Sequence, residues 1–118
     1  MDINALRNQL REFAKERDWD QFHSPKNLSM ALAAEAGELL DIFQWIKEEE
    51  SLLENITPKN LEKAREEVAD IFLYLIRVSD KLDINLEEAV ELKINQNKKK
   101  YPIELSKGNA IKYNRRNE

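Results

Sequence analysis

The sequence predicts an all-α fold, which we expect to be an up-and-down bundle of four helices. The composition is rich in Leu, Glu, Lys and Ala, and the chain offers only two glycines and three prolines for turns. Apolar residues recur at helical spacing in four segments, each opening at a residue typical of a helix start. Because the connections are short, neighbouring helices should run antiparallel, with a partner subunit completing the bundle.

The first helix is expected to run from about Asp2 to Arg17, with Asp2 as its N-cap. Its apolar stripe consists of Ile3, Leu6, Leu10, Phe13 and Ala14. The connector that follows, residues 18–23, is unusually aromatic for a loop, and it holds the chain's one histidine, His23.

Ser24-Pro25 and Thr57-Pro58 mark the starts of the second and third helices. Each pair places a side-chain oxygen at the N-cap and a proline at the first helical residue. The second helix is expected to continue to about Ile46, on an apolar stripe formed by Leu28, Leu32, Leu39, Ile42, Phe43 and Ile46. The stripe of the third helix is Leu61, Ala64, Val68, Ile71, Leu75, Val78 and Leu82. Residues 47–56 between them are predicted to be a solvated loop.

A fourth helix is predicted from Asn85 to about Lys100, ending before Pro102. Asn85 and Glu88 have the spacing of a capping box. Beyond Pro102 the sequence is polar and has no apolar period. We therefore predict one domain over residues 1–102 and a polar tail over residues 103–118.

Composition excludes several classes of protein. No apolar run approaches the roughly 20 residues of a membrane-spanning helix. The chain has no cysteine, which excludes disulfides and thiolate metal sites, and its first residues do not resemble a signal peptide. We expect a cytoplasmic protein without membrane contact. The net charge of −4, with basic residues concentrated from Lys93 onward, argues against a groove for a nucleic-acid polymer and leaves a smaller anion open.

Two pairs of carboxylates stand out, Glu35 with Glu38 and Glu67 with Asp70. Each pair is spaced i, i+3, so that its members share one side of a helix. Glu35 falls within the apolar stripe of the second helix, where an unpaired carboxylate costs several kcal/mol. Without a cation, four acids meeting between two packed helices repel one another. With a cation, they form a hard oxygen cage that suits Mg²⁺. The alternative is that these acids form an ordinary solvated face. Gly37, in mid-helix between the first pair, predicts close backbone packing there.

The apolar face of the fourth helix turns polar at Lys93, Asn97 and Tyr101. Lys93 is suited to a phosphate and Asn97 to a base edge or a sugar, although the helix could simply leave the core there. A single histidine cannot supply the two E-x-x-H motifs of a ferritin-like di-iron bundle. Trp19 and Trp45 are expected from spacing to be core residues, with stacking on a nucleobase as the alternative.

The segment Glu35-Ala36-Gly37-Glu38, followed by Glu67-Val68-Ala69-Asp70, resembles the E-x-x-E…E-x-x-D signature of the MazG-like, all-α nucleoside triphosphate pyrophosphatases. Residues 17–28 (RDWDQFHSPKNL), Phe43-Gln44-Trp45 and residues 93–102 (KINQNKKKYP) are similar to the dCTP pyrophosphatase branch of that family. The similarity covers roughly residues 5–102 and leaves the tail without a role.

The resemblance implies Mg²⁺-dependent hydrolysis of a nucleoside triphosphate, dCTP or a modified dCTP, between its α and β phosphates. It implies Mg²⁺ ligands at Glu35, Glu38, Glu67 and Asp70, and a nucleotide pocket lined by Trp19, His23, Trp45, Tyr74, Lys93, Asn97 and Tyr101. It also implies a homodimer or homotetramer. One of the acids, with Glu38 as our candidate, would take the proton of the attacking water.

Two alternatives stay open. One is an enzyme like phosphoribosyl-ATP pyrophosphohydrolase, against which the aromatic connector argues. The other is a non-catalytic helical interaction module. The sequence also leaves open the preferred base and the purpose, either sanitation of the nucleotide pool or control of dCTP.

Overall fold

A computed structural model describes residues 1–117 and confirms the all-α class, with no strand among those residues. Its α-helices are α1 (Ile3–Glu16), α2 (Pro25–Phe43), α3 (Pro58–Lys81), α4 (Leu86–Lys100) and α5 (Ile103–Ser106). Short 3₁₀ helices span Asp20–Phe22, Glu48–Ser51 and Tyr113–Arg115. All four predicted helices are present. No helix within the described residues is both long and apolar enough to cross a membrane.

The chain forms two compact units, Met1–Asp83 and the part from Ile84 onward. In the first unit α2 packs along α3, and α1 packs against α3. The most deeply buried apolar side chains of this unit are Ala14 on α1, Leu28 on α2 and Ile76 on α3. Each of the three helices therefore contributes one residue to the buried core of this unit.

The predicted helix starts are confirmed by their hydrogen bonds. At each start the side-chain oxygen of the N-cap accepts a hydrogen bond from the backbone N–H three residues on, at 3.0 to 3.2 Å. The four N-caps are Asp2, Ser24, Thr57 and Asn85. These bonds satisfy backbone donors that a helix leaves unpaired in its first turn.

The end of α2 differs from the prediction, because the helix stops at Phe43 rather than near Ile46. Past Phe43 the chain makes a turn in which the Ile46 N–H donates to the Phe43 carbonyl oxygen at 3.2 Å. Ile46 is still partly buried. Ile46 keeps the apolar spacing of α2 although it lies beyond the end of the helix, because a turn can also return an apolar side chain to the core.

The apolar stripe of α3 is only partly covered. Four residues of this stripe, spaced seven apart, are between 37% and 56% exposed. The stripe residues that lie between these four in the sequence are partly buried. The exposed residues are Leu61, Val68, Leu75 and Leu82. A seven-residue apolar repeat that stays exposed is typical of a helix with room for a further packing partner.

The second unit contains α4 and two short helices that the sequence pattern did not predict. Arg116 donates to the backbone carbonyl of Lys100, and the rings of Tyr101 and Tyr113 meet edge to face at a centroid distance of 5.9 Å. These contacts tie part of the predicted tail to the end of α4. The proposed domain boundary at residue 102 stays a prediction.

Candidate active site

Three carboxylates from α2 and α3 converge. Glu35, Glu38 and Glu67 each place a carboxylate oxygen within 4.8 Å of the other two. Oε2 of Glu35 and Oε2 of Glu67 are buried and have no hydrogen-bond partner among residues 1–117. A buried carboxylate oxygen without a donor is unfavourable unless something else compensates its charge. The donor set is therefore one that a hard divalent cation fits.

The electrostatics of this cluster centre on Glu67. A hydrogen bond shared with Glu35, the loss of hydration and the neighbouring Glu38 raise the pKa of Glu67 to about 7, from an ordinary 4.5. Carboxylates this close cannot all ionise freely, so one retains its proton in the absence of a cation. A bound cation would displace that proton because it stabilises the ionised form.

The cluster opens onto a groove of about 410 Å³ between α2 and α3. Its lining is mostly polar and acidic, and consists of Glu38, Asp41, Ile42, Asn60, Lys63, Glu66 and Glu67. A polyphosphate would be repelled by such a surface on its own. A cation held by the cluster would reverse that repulsion.

Asp70, the fourth predicted ligand, is not part of the three-carboxylate set. It lines a second cavity, of about 230 Å³, together with Leu10, Phe13, Trp19, His23, Leu73, Tyr74 and Arg77. Burial raises the pKa of Tyr74, and the negative charges of Glu35 and Asp70 raise it further. Tyr74 is therefore close to both the cluster and this aromatic pocket, and the two sites adjoin within the first unit.

The aromatic pocket depends on how α1 ends. The Asp18 N–H donates to the Lys15 carbonyl at 3.1 Å, and the Trp19 N–H donates to the Ala14 carbonyl at 2.8 Å. This pair of bonds is a Schellman motif, which requires a left-handed residue, and Asp18 adopts it with φ of 56°. The motif turns Trp19 back onto α1, where its ring meets Phe13 edge to face at 5.8 Å. Trp19 is 45% exposed, so the expectation that it is a core residue is wrong.

Arg77 joins the connector to α3. One of its terminal nitrogens, Nη2, lies 3.1 Å from Asp20 Oδ1 and 3.1 Å from His23 Nδ1. Lys81 also donates to Asp20 Oδ1, at 2.6 Å. Hydrogen bonds from Lys81 and then Arg77 lower the pKa of Asp20. His23 is thus held in place at the wall of the aromatic pocket.

The sequence patterns missed Arg77, Asp20 and Phe13 as site residues. A signal was present for Arg77, because it lies seven residues after Asp70 and three after Tyr74, on the same side of α3. No local signal pointed to Asp20, whose partners lie 57 and 61 residues away.

The remaining predicted residues lie elsewhere. Trp45 follows α2 and is 87% exposed, so the expectation that it belongs to the core is wrong. Lys93 and Asn97 are exposed on α4 and Tyr101 ends it, all in the second unit. The roles of these four residues in nucleotide binding stay predictions.

The close packing predicted at Gly37 is also wrong. A Cβ placed there meets no atom of another side chain or segment within 4 Å. Gly37 is exposed on α2. No contact within the described residues therefore requires a glycine at position 37.

Comparisons with known proteins find relatives over most of the chain. The model of the MazG-like family matches residues 30–115. The dCTP pyrophosphatase 1 of Bos taurus is 42% identical over 111 residues, and that of Homo sapiens is 37% identical over 111 residues. These matches cover 94% of this chain but 66% and 65% of the relatives, so the chain spans slightly less than two thirds of their length. A crystal structure of a pyrophosphatase from Archaeoglobus fulgidus matches with a TM-score of 0.76 and 38% identity, over 84% of this chain and 91% of that one.

Proposed function

The chain belongs to the MazG-like family, and from this membership we propose that it hydrolyses nucleoside triphosphates with the help of Mg²⁺. The proposed substrate is dCTP or a modified dCTP, cleaved to the nucleoside monophosphate and pyrophosphate. Support for the cytosine nucleotide comes from relatives that carry the name dCTP pyrophosphatase 1.

The observation that carries the proposal is the pair of buried, unpartnered oxygens on Glu35 and Glu67 beside an aromatic pocket. The acids need a cation, and the pocket offers Phe13, Trp19 and Tyr74 to a flat apolar group. A nucleoside triphosphate joins these two requirements, because its phosphates bind a metal ion and its base stacks on aromatic rings.

We assign Glu35 and Glu67 as Mg²⁺ ligands, with Glu38 and Asp70 completing the set. When bound, the metal would neutralise phosphate oxygens and make an attacking water more acidic. Glu38 is exposed, unlike the buried oxygens of Glu35 and Glu67, so it can reach a water on the groove side and take its proton. Lys93 would stabilise negative charge on the phosphates, while Asn97, Trp45 and Tyr101 would contact the nucleotide.

Product analysis tests this function. The purified chain is incubated with Mg²⁺ and a panel of canonical and modified deoxynucleoside triphosphates, and the products are separated by ion-exchange chromatography. We expect dCMP and pyrophosphate from dCTP, and no turnover by Glu35→Gln. Accumulation of dCDP and inorganic phosphate would show a different reaction class, and a lack of any turnover would favour the interaction module.

We also propose that a second copy of the chain covers the exposed stripe of α3, giving a homodimer or homotetramer. The seven-residue repeat of Leu61, Val68, Leu75 and Leu82 supports this, because two such helices can pack side by side. We expect Val68→Glu to lower the mass measured by light scattering. Glu62→Lys, a change at an exposed polar residue of the same helix, is the control and should leave the mass unchanged.

We propose the cytoplasmic location expected from the sequence, where the proposed substrate is available as a free nucleotide. Clearing modified nucleotides or limiting dCTP is the purpose we propose for the reaction. Fractionation of cells that express the tagged chain tests the location.

A further inference from the structure

The hydrogen-bond network behind the aromatic pocket restricts the chemistry of His23. Arg77 is 5% exposed, and its Nη2 atom lies 3.1 Å from both Asp20 Oδ1 and His23 Nδ1. A terminal guanidinium nitrogen carries two hydrogens, so one can point at each acceptor. A second ion pair, from Nη1 of Arg77 to Asp80 Oδ2 at 3.7 Å, helps to fix the guanidinium plane.

The direction of the bond between Arg77 and His23 is determined by the guanidinium. Arginine has only donors and stays charged in proteins, so Nδ1 of His23 must accept. A neutral imidazole that accepts at Nδ1 carries its hydrogen on Nε2. An imidazolium would instead turn an N–H towards the charged Arg77, which is unfavourable.

Most other groups near the imidazole also favour its neutral form over the imidazolium. Burial lowers the pKa of His23, and the positive charges of Arg77 and Lys81 lower it further, while Asp20 opposes them. The neutral ring is therefore the form that this environment favours. Within the described residues Nε2 makes no hydrogen bond, which leaves it available to a ligand in the pocket that His23 lines.

We propose that Arg77 is a positioning residue that holds His23 as the neutral Nε2–H tautomer, so that His23 offers a hydrogen-bond donor to the ligand in the aromatic pocket. This inference rests on the proposed function for the identity of the ligand. The ligand group that fits is an acceptor on the edge of a base, such as a carbonyl oxygen or an unprotonated ring nitrogen. A base with an N–H or amino group at that place would face the Nε2–H of His23 donor to donor and would bind less well.

The tautomer is measurable without any substrate. His23 is the only histidine of the chain, so a spectrum of ¹⁵N-labelled protein contains one pair of imidazole nitrogens. We compare the wild type with Arg77→Met, which removes the donor while keeping an unbranched side chain. Lys81→Met is the matched control, because Lys81 contacts the same oxygen of Asp20 but not His23.

For the wild type and Lys81→Met, we expect one neutral tautomer, with Nδ1 unprotonated and Nε2 bearing the hydrogen. For Arg77→Met, we expect the Nδ1–H tautomer to become populated. Arg77→Lys keeps a charged donor and should partly restore the wild-type spectrum. An Nδ1–H tautomer in the wild type overturns the proposal even if Arg77→Met does not fold, and so does an unchanged spectrum in a folded Arg77→Met.

Kinetics provide the second measurement. We expect Arg77→Met to raise KM for dCTP about tenfold with little change in kcat, since a positioned donor contributes to binding. In a His23→Phe background the same substitution should have no further effect on KM, because Arg77 acts through His23. An additive effect would overturn the positioning role. If the wild type turns over no nucleotide, the proposed function fails while the spectra still decide the tautomer.

Discussion

Glu35 on α2 and Glu67 on α3 bring their carboxylates together between the two helices, and each leaves one buried oxygen without a hydrogen-bond donor. Bringing these two acids together opposes the packing of the helices that carry them, because either two like charges lie side by side or one carboxylate must keep its proton above its ordinary pKa. The first unit therefore contains a local cost to folding that a bound cation would relieve.

We predict that Mg²⁺ raises the melting temperature of the protein and that Glu35→Gln weakens this effect. A ligand that binds only the folded state stabilises it by about 2.7 kcal/mol at a hundredfold excess over Kd. Thermal unfolding with and without Mg²⁺ measures the effect. Asp41→Asn, which removes a carboxylate on the same groove but outside the cluster, is the control. Equal responses of the wild type and Glu35→Gln would contradict a site built on Glu35.

The raised pKa of Glu67 predicts how the stability of the metal-free protein depends on pH. The folded state holds a proton up to about pH 7, whereas the unfolded chain releases it near 4.5. Because the folded state binds more protons between these values, stability should fall as pH rises through this range. Glu67→Gln should remove this fall and exceed the wild type in stability at pH 8. Urea unfolding in EDTA from pH 5 to pH 8 tests this, and parallel curves for the two proteins would refute it.

The exposure of Trp45 separates its effect on folding from its effect on binding. At 87% exposed it contributes little packing, so Trp45→Ala should leave the melting temperature nearly unchanged. Stacking on a base is worth about 1–3 kcal/mol, so kcat/KM for dCTP should fall about tenfold or more. Trp19→Ala, which also removes the contact with Phe13, should lower both quantities. Wild-type kcat/KM in a folded Trp45→Ala would exclude Trp45 from the site.

Asn97 on α4 is predicted to select the base. Its amide can donate and accept, so Asn97→Ala should lower kcat/KM for the matched base more than for others. Measurements with dCTP, dTTP and dATP test the prediction, with folding verified by circular dichroism. An unchanged ranking of the three bases would show that Asn97 does not read the base.

Gly37 offers a test that separates stability from activity. A glycine inside a helix costs roughly 0.5–1 kcal/mol relative to alanine, and nothing in the described part of the chain occupies the place of the added methyl group. Gly37→Ala should therefore raise the free energy of unfolding by about that amount in chemical denaturation. A loss of stability would mean that a second copy of the chain approaches the backbone there. Gly37 lies between Glu35 and Glu38, so a loss of activity with intact stability would indicate contact with the substrate.

Helix starts could be predicted from the sequence, and the two acidic pairs recognised in it, because both depend on residues close together in the chain. Each N-cap bond spans three residues, and so does the spacing within each acidic pair. The end of α2 was less predictable, since a turn after Phe43 and a continued helix bury Ile46 equally well.

The packing of α2 and α1 on α3 decided which of the site residues lie together. It brought Glu67 to Glu35 and placed Asp70 in the lining of the aromatic pocket, although the spacing of Glu67 and Asp70 on α3 predicts the same role for both. It also brought Arg77 to His23 and Asp20, across 54 and 57 residues. No local pattern encodes such pairs, because an arginine on a helix looks the same in sequence whether it faces solvent or a partly buried histidine. Only the tertiary structure removes water from around Arg77, and that burial turns an ordinary basic residue into one that can fix the protonation of its neighbour.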